Sequence, residues 1–285
     1  SGYNGERAGM SEQSAIEKSA RPNTVPSLVA DLRALGVRPG GILLVHSSLS
    51  ALGWVCGGAA AVVDVLLEVL GADGTLVMPA HTGDLSDPAE WAHPPVPADW
   101  VEPIRAGMPP FRPAITPTRG MGAVAECFRT WPGTLRSDHP QVSFCARGPH
   151  AKEIVRTHAL TPQFGMDSPL GTLYRLGAEV LLLGVGYENC TSFHLAETRT
   201  GRLPQKRMGA PVLVNGVREW IWFEDVDFDD EDFPSAGTAF EQAFPGATSR
   251  GPVGVADCRL FSMRPAVDFV QRWITDNRTS LKATE

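Results

Sequence analysis

GILLVHSS, Gly41 to Ser48, is a short run of apolar residues closed by a histidine and two serines, with a glycine on its N-terminal side. Its length suits a strand rather than a helix, and an apolar run with no polar alternation is how a strand buried on both faces reads. A Gly-rich turn follows, then the helical pattern AAAVVDVLLEVLG (Ala59–Gly71) and a second strand, GTLVMPA (Gly74–Ala80). Strand, helix, strand in that order predicts a parallel pair and an α/β class. Upstream, TVPSLVADLRALG (Thr24–Gly36) repeats its apolar residues at helical spacing.

Downstream the alternation continues. GMGAVAECFRTW, PHAKEIVRTH, SPLGTLYRLG, SAGTAFEQAF and RPAVDFVQRWITD read as helices, and VSFCARG, EVLLLGVG and GVADCRLFSM as strands. In PVLVNGVREWIWFE, Asn215-Gly216 separates two β-like runs, a strong hairpin signal. Between His81 and about Arg119 lies a long proline-rich connection, and connections of this length in compact domains are usually binding segments or lids. No internal repeat appears. The expectation is one α/β domain over residues 25–285, a central mixed sheet flanked by helices with a C-terminal hairpin subregion. Residues 10–24 are expected to be a flexible segment and residues 1–9 a processing remnant.

Composition narrows the function. The 285 residues carry a formal net charge of −7, which opposes nucleic acid or an anionic membrane as partner and favours a cationic small molecule. There is no apolar run of about 18 residues and no signal-type segment, so a cytoplasmic protein is expected. The five cysteines show no CxxC pairing, which argues for reduced thiols and against a structural zinc, and no metal is expected. The acidic run EDVDFDDEDF, Glu224–Phe233, is not a calcium loop of the EF-hand kind, because Asp230 stands where the loop's glycine belongs. It reads as a solvated segment that begins where a hairpin strand ends.

CTSFHLAETRT, Cys190–Thr200, places His194 and Glu197 three apart in the first turn of a helix. Positions i and i+3 are neighbours, so the carboxylate can accept a hydrogen bond from one ring nitrogen and leave the other free as a base. Alone, such a pair is more often an ordinary surface contact. The serines and turn amides of HSSLS, at the end of a buried strand, are a candidate cradle for a phosphate or a thioester tail.

Taken in order, LLVHSSLSALG, GTLVMPAHTGDLSDP, GMGAVAE, RSDHPQVSFCARGP, SPLGTLYRLGAEVLLLGVG and TSFHLAE resemble the aminoglycoside 3-N-acetyltransferases. The resemblance runs from about Val25 to the C-terminus. It implies acetyl-CoA as co-substrate, a cationic aminoglycoside as acceptor, and a fold distinct from the larger N-acetyltransferase superfamily. That superfamily's pyrophosphate loop is missing: RGPVGVA at Arg250 has one residue too many. By the same resemblance His194 is the catalytic histidine and Glu197 its partner. Ser47, Ser48, Leu49 and Ser50 lie along the pantetheine arm, with Arg119, Gly120, Met121 and Gly122 as further cofactor contacts. Glu224 and Asp227 sit where relatives place carboxylates that bind substrate amines or assist the histidine. Many relatives have Asn-Thr ahead of the histidine where this chain has Cys190-Thr191, which leaves Thr191 as the polar residue assigned there. Asp84 and Asp87 of GDLSDP are expected to bind further ammonium groups of the drug.

Two rivals stand beside direct transfer. Cys190, four residues before His194, is the one sequence-near candidate for an acetyl-cysteine route. A non-catalytic aminoglycoside-binding or CoA-sensing protein is the other. A serine hydrolase lacks its GxSxG.

Overall fold

The computed structural model describes residues 12–278. The segment expected as a remnant, residues 1–9, lies outside them. Of the segment expected to be flexible, residues 12–18 form a helix (α1), and it is tied down: Ser19 Oγ accepts the amide of Trp54, and the Trp54 indole donates to Glu12.

Seven strands form one mixed sheet in the order β3-β4-β2-β1-β5-β9-β8. Its centre is β1 (Ile42–Ser47), parallel to β2 (Thr75–Pro79) on one side and to β5 (Glu179–Leu183) on the other. The antiparallel additions are β4 (Phe144–Arg147) with the two-residue β3 (Leu135–Arg136) beyond β2, and β9 (Ala256–Ser262) with β8 (Thr248–Val253) beyond β5. β8 was not anticipated: TSRGPV is polar and carries a proline, which only an edge strand tolerates.

Strand alternation sends Leu43 and Val45 to one face of the sheet and Leu44 to the other. On the first face lie α2 (Val25–Leu35), α3 (Gly58–Leu70) and α5 (Gly122–Arg129), contributing Leu28, Leu32, Val62, Leu66, Val124 and Phe128. On the second lie α6 (Ala151–Arg156), α7 (Pro169–Leu176), α8 (Ser192–Thr200), α9 (Phe233–Ala243) and α10 (Met263–Asn277). Each fully buried aliphatic or aromatic side chain contributes about 1.5–3 kcal/mol, so these two layers hold the sheet from both sides. α2 starts as its sequence suggests: Thr24 and Ser27 form a capping box and Gly36, at φ 113°, ends the helix.

The hairpin stands apart as its own two-stranded sheet, β6 (Gln205–Val214) and β7 (Val217–Val226). Asn215 and Gly216 both have positive φ, 50° and 79°, as the tight turn requires. The hairpin packs on the proline-rich connection, which is less of a loop than expected because it holds a short helix, α4 (Val101–Gly107). Leu85, Met108 and Phe111 form a small core there against Trp220, and Gln141 bridges the carbonyls of Leu85 and Gly209. Among the described residues no helix is long and apolar enough to cross a membrane.

Candidate active site

β1 is flanked by a strand reached on each side, and the C-terminal ends of three parallel strands therefore open into one crevice, where α/β sheets bind ligands. A cavity of about 860 Å³ occupies it. Its floor is built from the ends of those strands: His46 and Ser47 from β1, Pro79 at the end of β2 with His81 just beyond it, and Val185 and Glu188 to Thr191 from the connection after β5. Ser47, Ser48, Leu49 and Ser50 line one wall, facing the Gly120-Met121-Gly122 turn at the start of α5. Gly120 and Gly122 have φ of 73° and 82°, which favours glycine at both positions. Among the described residues the Ser48 and Ser50 hydroxyls bond only each other, at 3.3 Å. Arg119 lies outside this lining; its amide donates to the His81 carbonyl and the residue is exposed. From the N-terminal side α1 adds Glu12 and Ala15, which the sequence reading missed.

His194 enters the cavity from the first turn of α8. Its Nδ1 lies 2.5 Å from Glu197 Oε2, and the Glu197 side chain is wholly buried. The imidazole is held flat against Phe164, with ring centroids 4.7 Å apart and planes 14° from parallel, while Phe228 and Phe233 meet it edgewise or at a tilt. Three aromatic walls and one carboxylate thus leave the ring a single orientation, with Nε2 free of hydrogen bonds to any described residue. Thr191 lines the cavity at the start of the same helix, and its hydroxyl is not used as a cap.

The other oxygen of Glu197 has partners that the sequence did not reveal. Oε1 accepts from Arg278 Nη1 and from the Asp229 amide at 3.1 Å. Burial works against the Arg278 charge, yet Asp232 and Glu197 beside it hold its pKa above that of an ordinary arginine.

The acidic run divides. Asp230 lines the cavity. Glu224 instead lines a separate hollow of about 240 Å³ behind Glu197, and Asp227 is exposed and paired with Lys206 at 2.9 Å. Neither Asp84 nor Asp87 reaches the cavity: Asp84 is exposed, and Asp87 is bound in a two-pronged ion pair by Arg105 at 2.8 Å from each nitrogen. Glu188 is a further carboxylate on the wall.

Two more histidines face this space. Burial, then the nearby His194, lowers His46 to about 3, and the same causes hold His81 well below its ordinary value. Both remain neutral, and each leaves a buried Nε2 without a partner among the described residues. Cys190 borders the cavity but its side chain is buried beside Ser192 Oγ at 3.2 Å, and burial pushes its thiol up to about 12.

A family profile described as aminoglycoside 3-N-acetyltransferase matches residues 44–275. An aminoglycoside N(3')-acetyltransferase-like protein of Bacillus subtilis, YokD, is 45% identical over 263 residues, which span 92% of this chain and 96% of that protein. The crystal structure of YokD superposes with a TM-score of 0.91 over 96% of this chain and 99% of that one. A solved AAC-IIIb in a binary complex with CoASH is 30% identical, with a TM-score of 0.79 over 90% of this chain and 97% of that one. A sisomicin-bound AAC-VIa is 31% identical, with a TM-score of 0.78 over 90% of this chain and all of that one.

Proposed function

The chain belongs to the aminoglycoside 3-N-acetyltransferase family, and from that premise we propose that it moves the acetyl group of acetyl-CoA onto the 3-amino group of a 2-deoxystreptamine aminoglycoside, with His194 as general base. The reaction is placed in the cytoplasm and confers resistance on the cell that carries it. The observation that supports this reading best is one side chain: His194 stands in the wall of a large cavity with Nδ1 tied to a buried carboxylate and Nε2 without a partner among the described residues.

The residues fit the two substrates. The hydroxyls of Ser47, Ser48 and Ser50 and the glycine turn at 120–122 form a polar wall suited to a pantetheine arm, consistent with CoASH bound in AAC-IIIb. Asp230, Glu188 and Glu12 give the cavity a negative lining suited to ammonium groups, consistent with sisomicin bound in AAC-VIa.

An alkylammonium is not a nucleophile, so the 3-amine must first lose a proton. His194 Nε2 accepts it while Glu197 accepts the Nδ1–H, which keeps the ring in the tautomer that exposes a basic Nε2. The acetyl thioester supplies an activated acyl group. The amine nitrogen bonds to the carbonyl carbon, the carbon–sulfur bond breaks, and the His194 proton passes to the departing sulfur; the nitrogen's second proton then leaves through the regenerated Nε2 to solvent, which yields the neutral amide, free coenzyme A thiol and one released proton. Thr191 or an amide of the HSSLS turn stabilises the charge that develops on the carbonyl oxygen. Direct attack needs no acylated protein, and a Cys190 thiol raised to about 12 is poorly supplied with the thiolate such a route requires.

His194→Ala is expected to lower turnover of an aminoglycoside by about a hundredfold or more while acetyl-CoA binding, measured by calorimetry, stays near wild type. Near-normal turnover in the folded variant would remove His194 as base.

A further inference from the structure

The carboxylate that orients His194 has two oxygens, and only one faces the imidazole. A glutamate held at one oxygen swings about its last torsion, so fixing His194 requires a second anchor on Glu197. The structure supplies one from far along the chain. Arg278, just past the end of α10 and 8% exposed, donates from Nη1 to Glu197 Oε1. The same guanidinium grips Asp232 through Nε at 2.8 Å and Nη2 at 2.6 Å, and Nη2 also donates to the Asp229 carbonyl at 2.7 Å. The Asp229 amide returns to Glu197 Oε1, which closes a ring of contacts. Between the two residues that Arg278 holds lies Asp230, the one residue of the acidic run that lines the cavity.

We propose that Arg278 is a positioning residue for acetyl transfer: one guanidinium sets the angle of the Glu197 carboxylate behind His194 and anchors the segment that presents Asp230 to the cationic substrate. The proposal rests on His194 being the base. Only arginine suits the place, because its planar fork engages two carboxylates and a carbonyl at once, whereas an ammonium is a single point charge. The ionisable groups facing it are Glu197 on α8 and Asp232 on the acidic segment, with His194 across Glu197; Asp229 meets it through its backbone carbonyl, and its own carboxylate accepts the Glu231 amide.

The test uses Arg278→Lys, which keeps the buried charge and so favours folding, and Arg278→Ala with guanidinium added back. Expected for Arg278→Lys is a fall in kcat of about tenfold or more, with KM for acetyl-CoA changed by less than about twofold and KM for the aminoglycoside raised. Guanidinium restores part of the Arg278→Ala loss. In a Glu197→Gln background the lysine substitution costs kcat little more, since both changes act through one carboxylate. Independently of turnover, the proton shared by His194 and Glu197 is followed by NMR of the resting enzyme, and Arg278→Lys shifts or broadens that signal.

Normal kcat in folded Arg278→Lys, losses that multiply with those of Glu197→Gln, or an effect confined to aminoglycoside KM would each overturn the proposal. Failure of the underlying reading looks different: His194→Ala then keeps its turnover, whatever the NMR signal does in the Arg278 variants.

Discussion

Glu197→Gln is the most informative single change in this site, because it alters one charge and almost no volume in a position with no solvent access. Glu197 accepts at both oxygens, from His194 on one side and from Arg278 and the Asp229 amide on the other. A glutamine accepts on one side only. If its oxygen faces Arg278, its amide N–H faces His194 Nδ1, which must then become an acceptor. The ring proton moves to Nε2, and the base is lost. If the amide is flipped, its N–H meets a guanidinium and a backbone N–H, both donors, and the buried arginine loses a partner. Hydrogen bonds involving a charged group contribute about 1.5–3 kcal/mol, and each 1.36 kcal/mol is tenfold in rate. The expected fall in kcat is therefore about 10- to 150-fold, with acetyl-CoA affinity unchanged. Steady-state rates at saturating acetyl-CoA, read by thiol release, measure it, with circular dichroism to confirm the fold. A folded variant with wild-type kcat would show that the carboxylate neither selects the tautomer nor orients the ring.

Three further outcomes are expected. Cys190→Ser stays active, and intact protein mixed with acetyl-CoA alone gains no acetyl mass; a transferable acetyl on Cys190 would replace direct transfer with a two-step route. Asp230→Asn raises aminoglycoside KM by about three- to tenfold, more than Glu224→Gln or Asp227→Asn, because only Asp230 lines the cavity; equal effects would mean that long-range charge alone draws the drug in. Acid destabilises the fold early: burial lowers His46 and His158 to about 3 and His139 to about 4, so below about pH 6.5 the unfolded chain takes up protons that the folded one refuses. Stability is fully present above that pH and falls as pH drops toward 4, and a urea midpoint that stays flat from pH 7 to 4 would contradict it.

What was legible follows the range of the interaction. GILLVHSS declares a central strand because its apolar side chains are buried on both faces, and the Asn215-Gly216 turn declares its hairpin because the conformation depends on those two residues alone. α4 escaped notice because VEPIRAG carries a proline and has no buried residue to give it a period. The site divides in the same way. His194 and Glu197 are one helical turn apart, so spacing alone brings them together, whereas Arg278 lies 81 residues beyond Glu197 in a stretch with no pattern of its own.

The acidic run shows the same limit from another direction. Its carboxylates are chemically alike, and nothing in EDVDFDDEDF ranks one above another as a contact for the drug. The ranking is made by backbone: the Asp229 amide is claimed by Glu197, and the Asp229 carbonyl and Asp232 carboxylate by Arg278. Asp230, between them, is left to the cavity, while Glu224 and Asp227 are carried away along the hairpin. The contacts that hold the Glu197 carboxylate behind His194 are therefore the same ones that leave Asp230 to the cavity. If the proposed reading holds, changes behind Glu197 alter turnover and aminoglycoside KM together, whereas changes on the serine wall, which shares none of those contacts, alter acetyl-CoA affinity on its own.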